Sequence, residues 1–122
     1  TPVIAHVERY YFIQRAPEII YDWVRRGYVI QVNKGSPLGA FGKKERDTAV
    51  SLLEHNLVHV IASDAHGTQH RTPDMTNIFR FLGETAGSKY RNLVLNENPV
   101  RILSGEEILS FPPRPYRQNR HW

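Results

Sequence analysis

The stretch Val58-His59-Val60-Ile61-Ala62-Ser63-Asp64-Ala65-His66 decides the fold. Apart from His59, its first five residues are apolar and mostly β-branched without polar alternation, the pattern of a strand buried on both faces of a parallel sheet. It then runs straight into side chains capable of chemistry. Upstream, Tyr28 to Val32 repeats this arrangement and delivers Asn33, and Val3-Ile4-Ala5 does so in shorter form and delivers His6. The segments between read as helices. Ala16-Pro17-Glu18 opens one after a polar break, with Ile20, Trp23 and Val24 on one face and Gly27 just beyond its end. Lys43 to Asn56 carries Ala49, Leu52 and Leu53 on one stripe. Between them, Lys34 to Gly42 combines three glycines with Pro37 and Ser36 and reads as an irregular loop.

Downstream, Thr72-Pro73 opens a third helix whose Met75, Ile78, Phe79, Leu82 and Ala86 are expected to face inward, with Gly87 closing it. A shorter helix is expected from Ser88, broken at Asn98-Pro99, with Val100 to Leu103 packing back on the body. Strand and helix alternate three times, the order of right-handed parallel α/β crossovers. A closed α/β barrel takes about eight strands and roughly 200 or more residues. A chain of 122 residues is therefore expected to form the C-terminal portion of a distorted, TIM-like β/α barrel, completed by an N-terminal half or by oligomerisation. Residues 1–111 would belong to the barrel, and residues 112–122 to a basic, proline-containing, disordered tail.

Composition narrows the function. The 16 Lys and Arg against 12 Asp and Glu give a formal charge of +4, but the tail contributes Arg114, Arg117 and Arg120 without an acidic residue, so the body is close to neutral. A nucleic-acid-binding body would spread its basic residues over a folded face, and nucleic acid is not an expected partner. With no cysteine, this chain supplies no disulfide, no thiolate metal ligand and no cysteine nucleophile, which excludes the cysteine-dependent tyrosine phosphatase chemistry. No apolar run approaches the roughly 20 residues that cross a bilayer, and Thr1 to His6 lack the charged start of a secretory signal. A cytoplasmic protein that is not transmembrane is the expectation.

The polar residues at the strand ends are the candidates for chemistry, because α/β barrels place their active sites there. In extended chain, residues two apart point to the same side, so Asp64 and His66 can reach one point in space. Imidazole nitrogen and carboxylate oxygen suit zinc, manganese or iron, and His6 at the end of a neighbouring strand extends the set. Each residue singly has a bland alternative as a hydrogen-bonded structural group. Arg9 lies three residues after His6 and Arg71 five after His66. Their planar donor forks match phosphate oxygens, with solvated surface arginines as the alternative. His55 near a helix end reads as exposed, His59 as packed, and both are set aside with His121.

Taken together, Pro2-Val3-Ile4-Ala5-His6-x-Glu8-Arg9-Tyr10, Asn33-x-Gly35-Ser36, Gly39-x-Phe41-Gly42 and Ala62-Ser63-Asp64-Ala65-His66 through Arg71-x-Pro73, followed by Asn98-Pro99, keep one order and spacing. In this the chain resembles the bacterial manganese-dependent protein-tyrosine phosphatases of the polymerase and histidinol phosphatase (PHP) superfamily, the type encoded with capsular and exopolysaccharide genes. The resemblance spans Pro2 to about Gly105. It implies a distorted barrel with up to three metal ions at its strand ends, Mn2+ first and Fe or Zn as alternatives. His6, Asp64 and His66 match family ligands, and Arg9 and Arg71 match arginines that bind the phosphate. The implied reaction is hydrolysis of phosphotyrosine on the tail of a bacterial polysaccharide-assembly tyrosine kinase. The family's N-terminal His-x-His pair and further ligands have no counterpart here, so this chain alone is expected to be inactive. Val7 stands where the family usually has Pro, which restores a backbone donor and is expected to loosen the loop. The alternatives are another PHP phosphoesterase, such as a histidinol-phosphate phosphatase, and a non-catalytic barrel fragment acting as an interaction module.

Overall fold

A computed structural model of the chain describes residues 3–62, 73–85 and 87–116, without the side chains at 73–76 and 85. Three short strands, β1 (Val3–Ile4), β2 (Val29–Asn33) and β3 (Val60–Ala62), form a sheet in the order β1-β2-β3. Both pairings are parallel, with Val3 beside Val29, Ile4 beside Ile30, and Gln31, Val32 and Asn33 beside Val60, Ile61 and Ala62. The alternation expected from the sequence is therefore present. All three strands point their carboxyl ends the same way, with His6 two residues beyond the end of β1 and Asn33 the last residue of β2.

The break after β1 is more ordered than its polar composition suggested. A 3-10 turn over Val7–Arg9 leads into α1 (Tyr11–Arg15), and α2 (Glu18–Arg25) follows with Pro17 directly before it and Gly27 at φ +96° behind. Crossover helix α3 (Lys43–Glu54) buries Thr48, Ala49, Leu52 and Leu53. With Ile20, Ile30, Val32, Leu57, Val58 and Ile61 they form the core between sheet and helices. Val7 is also fully buried there. The side chain that replaces the family's proline thus anchors the turn rather than loosening it, since burying a Val side chain is worth about 1.5–3 kcal/mol.

Helix α4 (Pro73–Thr85) buries Ile78 and Leu82 as expected, but Phe79 is 45% exposed and lies beneath the Arg91 guanidinium, 3.7 Å from its ring centroid. Phe79 is one position beyond the apolar stripe, and the cation covers the ring that the core does not take. Ala86 and the Met75 side chain lie outside the described residues. The expected break at Asn98-Pro99 does not occur. Helix α5 (Ser88–Asn92) continues through a π turn at Leu93–Glu97 into α6 (Asn98–Ser104). The wide turn changes register immediately before Pro99, whose missing N–H and ring a regular helix interior would not tolerate. Asn98 is fully buried and its amide donates to His59 O (2.9 Å) and Leu109 O (2.8 Å) while accepting from Leu109 N–H (2.8 Å). Val100, Ile102 and Leu103 are exposed instead of packing back.

Of the tail expected over residues 112–122, residues 117–122 lie outside the described residues. Pro112 to Tyr116 has no regular structure but is docked on the body. Arg114 N–H donates to His55 O (2.8 Å), Asn56 donates to Pro112 O (3.1 Å), and Phe111 packs on Tyr90 at 5.1 Å between ring centroids. Tyr116 stacks on His55 at 3.8 Å and shares a hydrogen bond with Ser51 Oγ (2.7 Å). His55 is accordingly half-buried and not the exposed residue its helix-end position suggested. Two aromatic rings and backbone hydrogen bonds supply what a count of aliphatic residues misses.

Candidate active site

The site is assembled on the turn that follows β1. His6 adopts the left-handed region (φ 56°, ψ 38°), which costs a non-glycine residue about 1–2 kcal/mol. Its neighbours hold it there. Val7 and Glu8 are fully buried, Arg9 N–H closes on His6 O (3.0 Å) and Tyr10 N–H on Val7 O (3.2 Å). The sharp reversal turns His6 away from the strand direction and leaves Arg9 exposed at the rim.

Glu8 is the structural centre of this region. Its carboxylate Oε2 accepts hydrogen bonds from Asn33 N–H (3.0 Å), at the end of β2, and from the Ser36 hydroxyl in the loop that follows. Asn33 in turn uses its side-chain oxygen to accept Gly35 N–H at 2.8 Å. One buried carboxylate therefore ties the end of β1 to the end of β2. Gln14 closes the other side, donating to Glu8 O (3.0 Å). Two polar atoms stay unsatisfied: His6 Nδ1 and Glu8 Oε1 are both buried without a hydrogen-bond partner among the described residues. Such groups are rare in native structures because an unpaired buried polar atom costs about 1–3 kcal/mol, and they concentrate where a ligand or ion completes the site.

The described residues contain no group of three His, Cys, Asp or Glu side chains placed to hold a metal. Of the expected ligands only His6 falls within them. Asp64 and His66 lie outside the described residues, as does Arg71, and β3 ends at Ala62, two residues before Asp64 in the sequence. The donor chemistry fits a metal all the same: His6 presents a buried ring nitrogen with no partner among the described residues, and a His2Asp set would suit zinc, manganese or iron. Arg9 sits with its guanidinium carbon 4.8 Å above the centroid of the Phe41 ring.

Glu8, Ser36 and Phe41 were quoted in the motifs, but the sequence assigned them no part. No local signal marks Glu8, which stands between Val7 and Arg9 as a solvated charge would; an acidic residue is almost never fully buried without partners, and its partners lie 25 and 28 residues further on. One other buried titratable group sits at the opposite end of the sheet. His59 is buried, with burial pushing its imidazole down to about 4, and its Nδ1 accepts Ile30 N–H (2.9 Å). It borders a cavity of about 550 Å3, lined also by Val3, Tyr28, Val29 and Ile102. That cavity lies at the amino ends of the strands, away from His6 and Arg9, where barrel residues serve stability.

The chain is thus a parallel α/β unit that collects a strained His, a buried carboxylate and an exposed Arg at its strand carboxyl ends, where open and closed α/β sheets alike place their ligand sites. Comparison with known proteins makes this specific. Residues 1–104 match the family described as Capsular polysaccharide synthesis, CpsB/CapC, and the chain belongs to that family. It is 34% identical over 119 residues to Tyrosine-protein phosphatase YwqE of Bacillus subtilis (strain 168), covering 98% of this chain and 46% of the relative. It is 32% identical to Tyrosine-protein phosphatase CpsB of Streptococcus pneumoniae, covering 88% of this chain and 46% of that one. A solved chain from crystal structures of YwqE and CpsB, described as unique metal-dependent tyrosine phosphatases, superposes with a TM-score of 0.82 at 34% identity, covering 96% of this chain and 47% of the other. The chain thus spans about half the length of the curated relatives it matches.

Proposed function

We propose that this chain is the part of a metal-dependent protein-tyrosine phosphatase that supplies His6, Asp64 and His66 as metal ligands and Arg9 and Arg71 as phosphate-binding groups. The observation that carries the reading is the turn after β1, where a strained His6 with an unpartnered buried nitrogen stands three residues from an exposed Arg9. In the intact protein the sheet would continue into a distorted β/α barrel whose remaining strands bring the other ligands.

When bound, the ions, with Mn2+ as the first expectation, supply positive charge to the phosphoryl group and acidify a water molecule. The chain's own residues do the rest. Arg9 and Arg71 neutralise charge that develops on the phosphoryl oxygens, each as a fork of N–H donors. Glu8 holds the Arg9 turn against the β2 end, so the guanidinium approaches the substrate from a fixed base. The leaving phenolate, with a tyrosine pKa near 10, needs little acid assistance. No cysteine takes part, in keeping with its absence from the sequence. The substrate would be phosphotyrosine on the tail of a cytoplasmic-facing tyrosine kinase of polysaccharide assembly, and the role regulation of capsule or exopolysaccharide synthesis. Among the described residues no helix is long and apolar enough to cross a membrane.

The test uses the full-length product of the gene, assayed on a phosphotyrosyl peptide with and without Mn2+, with histidinol phosphate as the comparison substrate. Hydrolysis of the peptide that is abolished by chelation and by His66→Ala is the expected result. Full activity after either treatment overturns the proposal, and preference for histidinol phosphate replaces the substrate.

A further inference from the structure

The motif Gly39-x-Phe41-Gly42 has no part in the chemistry described so far, although its loop faces the Arg9 turn. Two links join them. At the buried base, Glu8 grips the loop through Asn33 N–H and the Ser36 hydroxyl. At the exposed rim, the next residue, Arg9, lays its guanidinium over the Phe41 ring, 4.8 Å from carbon to centroid. Consecutive residues of one turn thus hold the same loop at two heights. The ring has its own support: it packs beside Gly35, where an added Cβ would stand in ordinary contact with Phe41 Cε2 at 3.4 Å, and the neighbouring Ala40 Cβ and Asn33 Oδ1 lie closer to that position, at 3.0 and 3.3 Å. The loop is itself braced by Ala40 N–H to Gly35 O (2.9 Å) and Gly39 N–H to Ser36 O (3.0 Å).

We propose that Phe41 is the positioning residue for Arg9, its ring face holding the guanidinium so that its N–H fork is presented to the phosphate group of the substrate. This rests on the reading of Arg9 as a phosphate-binding group. The physical reason is that an exposed arginine carries several rotatable bonds and loses their freedom on binding an anion, whereas one already held over an aromatic face has lost part of it beforehand. Arg9 makes no ion pair among the described residues, so none of their carboxylates competes with the phosphate for its fork. The quadrupole of a ring face holds the cation while leaving its N–H groups free, which a carboxylate would not do.

The experiment compares Phe41→Leu, Phe41→Trp, Arg9→Ala and the double variant Arg9→Ala/Phe41→Leu in the Mn2+-loaded full-length product. Affinity for inorganic phosphate is read by calorimetry and KM and kcat on a phosphotyrosyl peptide. Phe41 is 36% exposed, so its replacement does not empty a core site. Phe41→Leu is expected to weaken phosphate binding and raise KM by about fivefold with a smaller effect on kcat, and Phe41→Trp to restore both. In the Arg9→Ala background the Leu replacement is expected to change nothing further. An equal loss in both backgrounds, or no loss in either readout, overturns the proposal. The two readings fail separately: Arg9-dependent phosphate binding without phosphotyrosine hydrolysis would remove the phosphatase and keep the positioning role. Hydrolysis that is indifferent to Phe41→Leu would do the reverse. Phosphate binding that does not depend on Arg9 removes the positioning role outright.

Discussion

Lowering the pH should destabilise this protein through His59 before most carboxylates titrate. His59 Nδ1 accepts Ile30 N–H at 2.9 Å while its own backbone N–H donates to Ile30 O at 2.9 Å, so the imidazole stands in for a strand carbonyl and extends the β2–β3 pairing. Only the neutral ring can accept at that nitrogen. Burial pushes the folded-state pKa from 6.5 down to about 4. A depressed folded value means that the unfolded chain binds the proton first, so the stabilisation is complete above pH 6.5 and is lost as the pH falls toward 4. At about 1.4 kcal/mol per pH unit, the interval corresponds to about 3 kcal/mol, of which about 2 kcal/mol is already gone at pH 5. That is a large share of a typical stability of about 5–15 kcal/mol. The assay is urea denaturation of the full-length protein at pH 7.5, 6, 5 and 4.5, beside His59→Asn, whose side-chain oxygen can occupy the place of Nδ1 without titrating. The wild type should lose about 2 kcal/mol more than the variant between pH 7.5 and 5. Parallel declines for the two proteins would show that some other group carries the pH dependence and would refute the role given to this imidazole.

Other buried polar links make comparable tests. Tyr90 donates its hydroxyl to Val58 O (2.8 Å) and accepts Val58 N–H (3.1 Å); Tyr90→Phe leaves both backbone groups unpaired and should cost about 1–3 kcal/mol in urea denaturation at neutral pH. Asn98→Leu removes all three bonds that join α6 to His59 and Leu109, and should lower stability by about 2–4 kcal/mol while leaving the helix content by circular dichroism near that of the wild type. Tyr116→Ala releases the ring from His55 and the hydroxyl from Ser51. It should speed hydrogen exchange of the Arg114 N–H, which donates to His55 O (2.8 Å), and unchanged exchange would argue that the tail is held by its backbone bonds alone.

The strands and crossover helices were legible because their signal is local. Val29 to Asn33 and Val60 to Ala62 are short apolar runs that no solvent-facing element would carry, and α3 shows its buried stripe at Ala49, Leu52 and Leu53 in the expected period. The family was legible because several short motifs kept their order. What escaped the sequence is the set of residues whose partner lies far along the chain. Asn98 next to Pro99 carries the local mark of a helix break, and only its bonds to His59 and Leu109, with a π turn ahead of it, explain why the helix continues. Tyr116 and Arg114 sit in a proline-rich run that scores as disordered until His55 and Ser51 are seen beneath it. Glu8 and Phe41 belong to the same class, and this bears on function.

His6 and Arg9 could be named from residue type and from their position after a strand, because ligand chemistry is a property of a side chain. Their supports could not, because support is a property of a pair. Glu8 reaches across 25 residues to Asn33 N–H, and Arg9 reaches 4.8 Å to a ring that follows β2. The His6 turn and the loop from Lys34 to Gly42 therefore form one mechanical unit, although two helices separate them in the sequence. A substitution in that loop, far from any atom that would touch the substrate, acts on the arginine through this unit. Gly35→Ala is the sharpest instance: its Cβ would meet Ala40 Cβ at 3.0 Å and Asn33 Oδ1 at 3.3 Å, with the Phe41 ring in ordinary contact at 3.4 Å, so the strain enters the loop that carries the ring on which Arg9 rests and not a named metal ligand. Such a variant should lose phosphate affinity while keeping its metal, which separates the two halves of the site in a single protein.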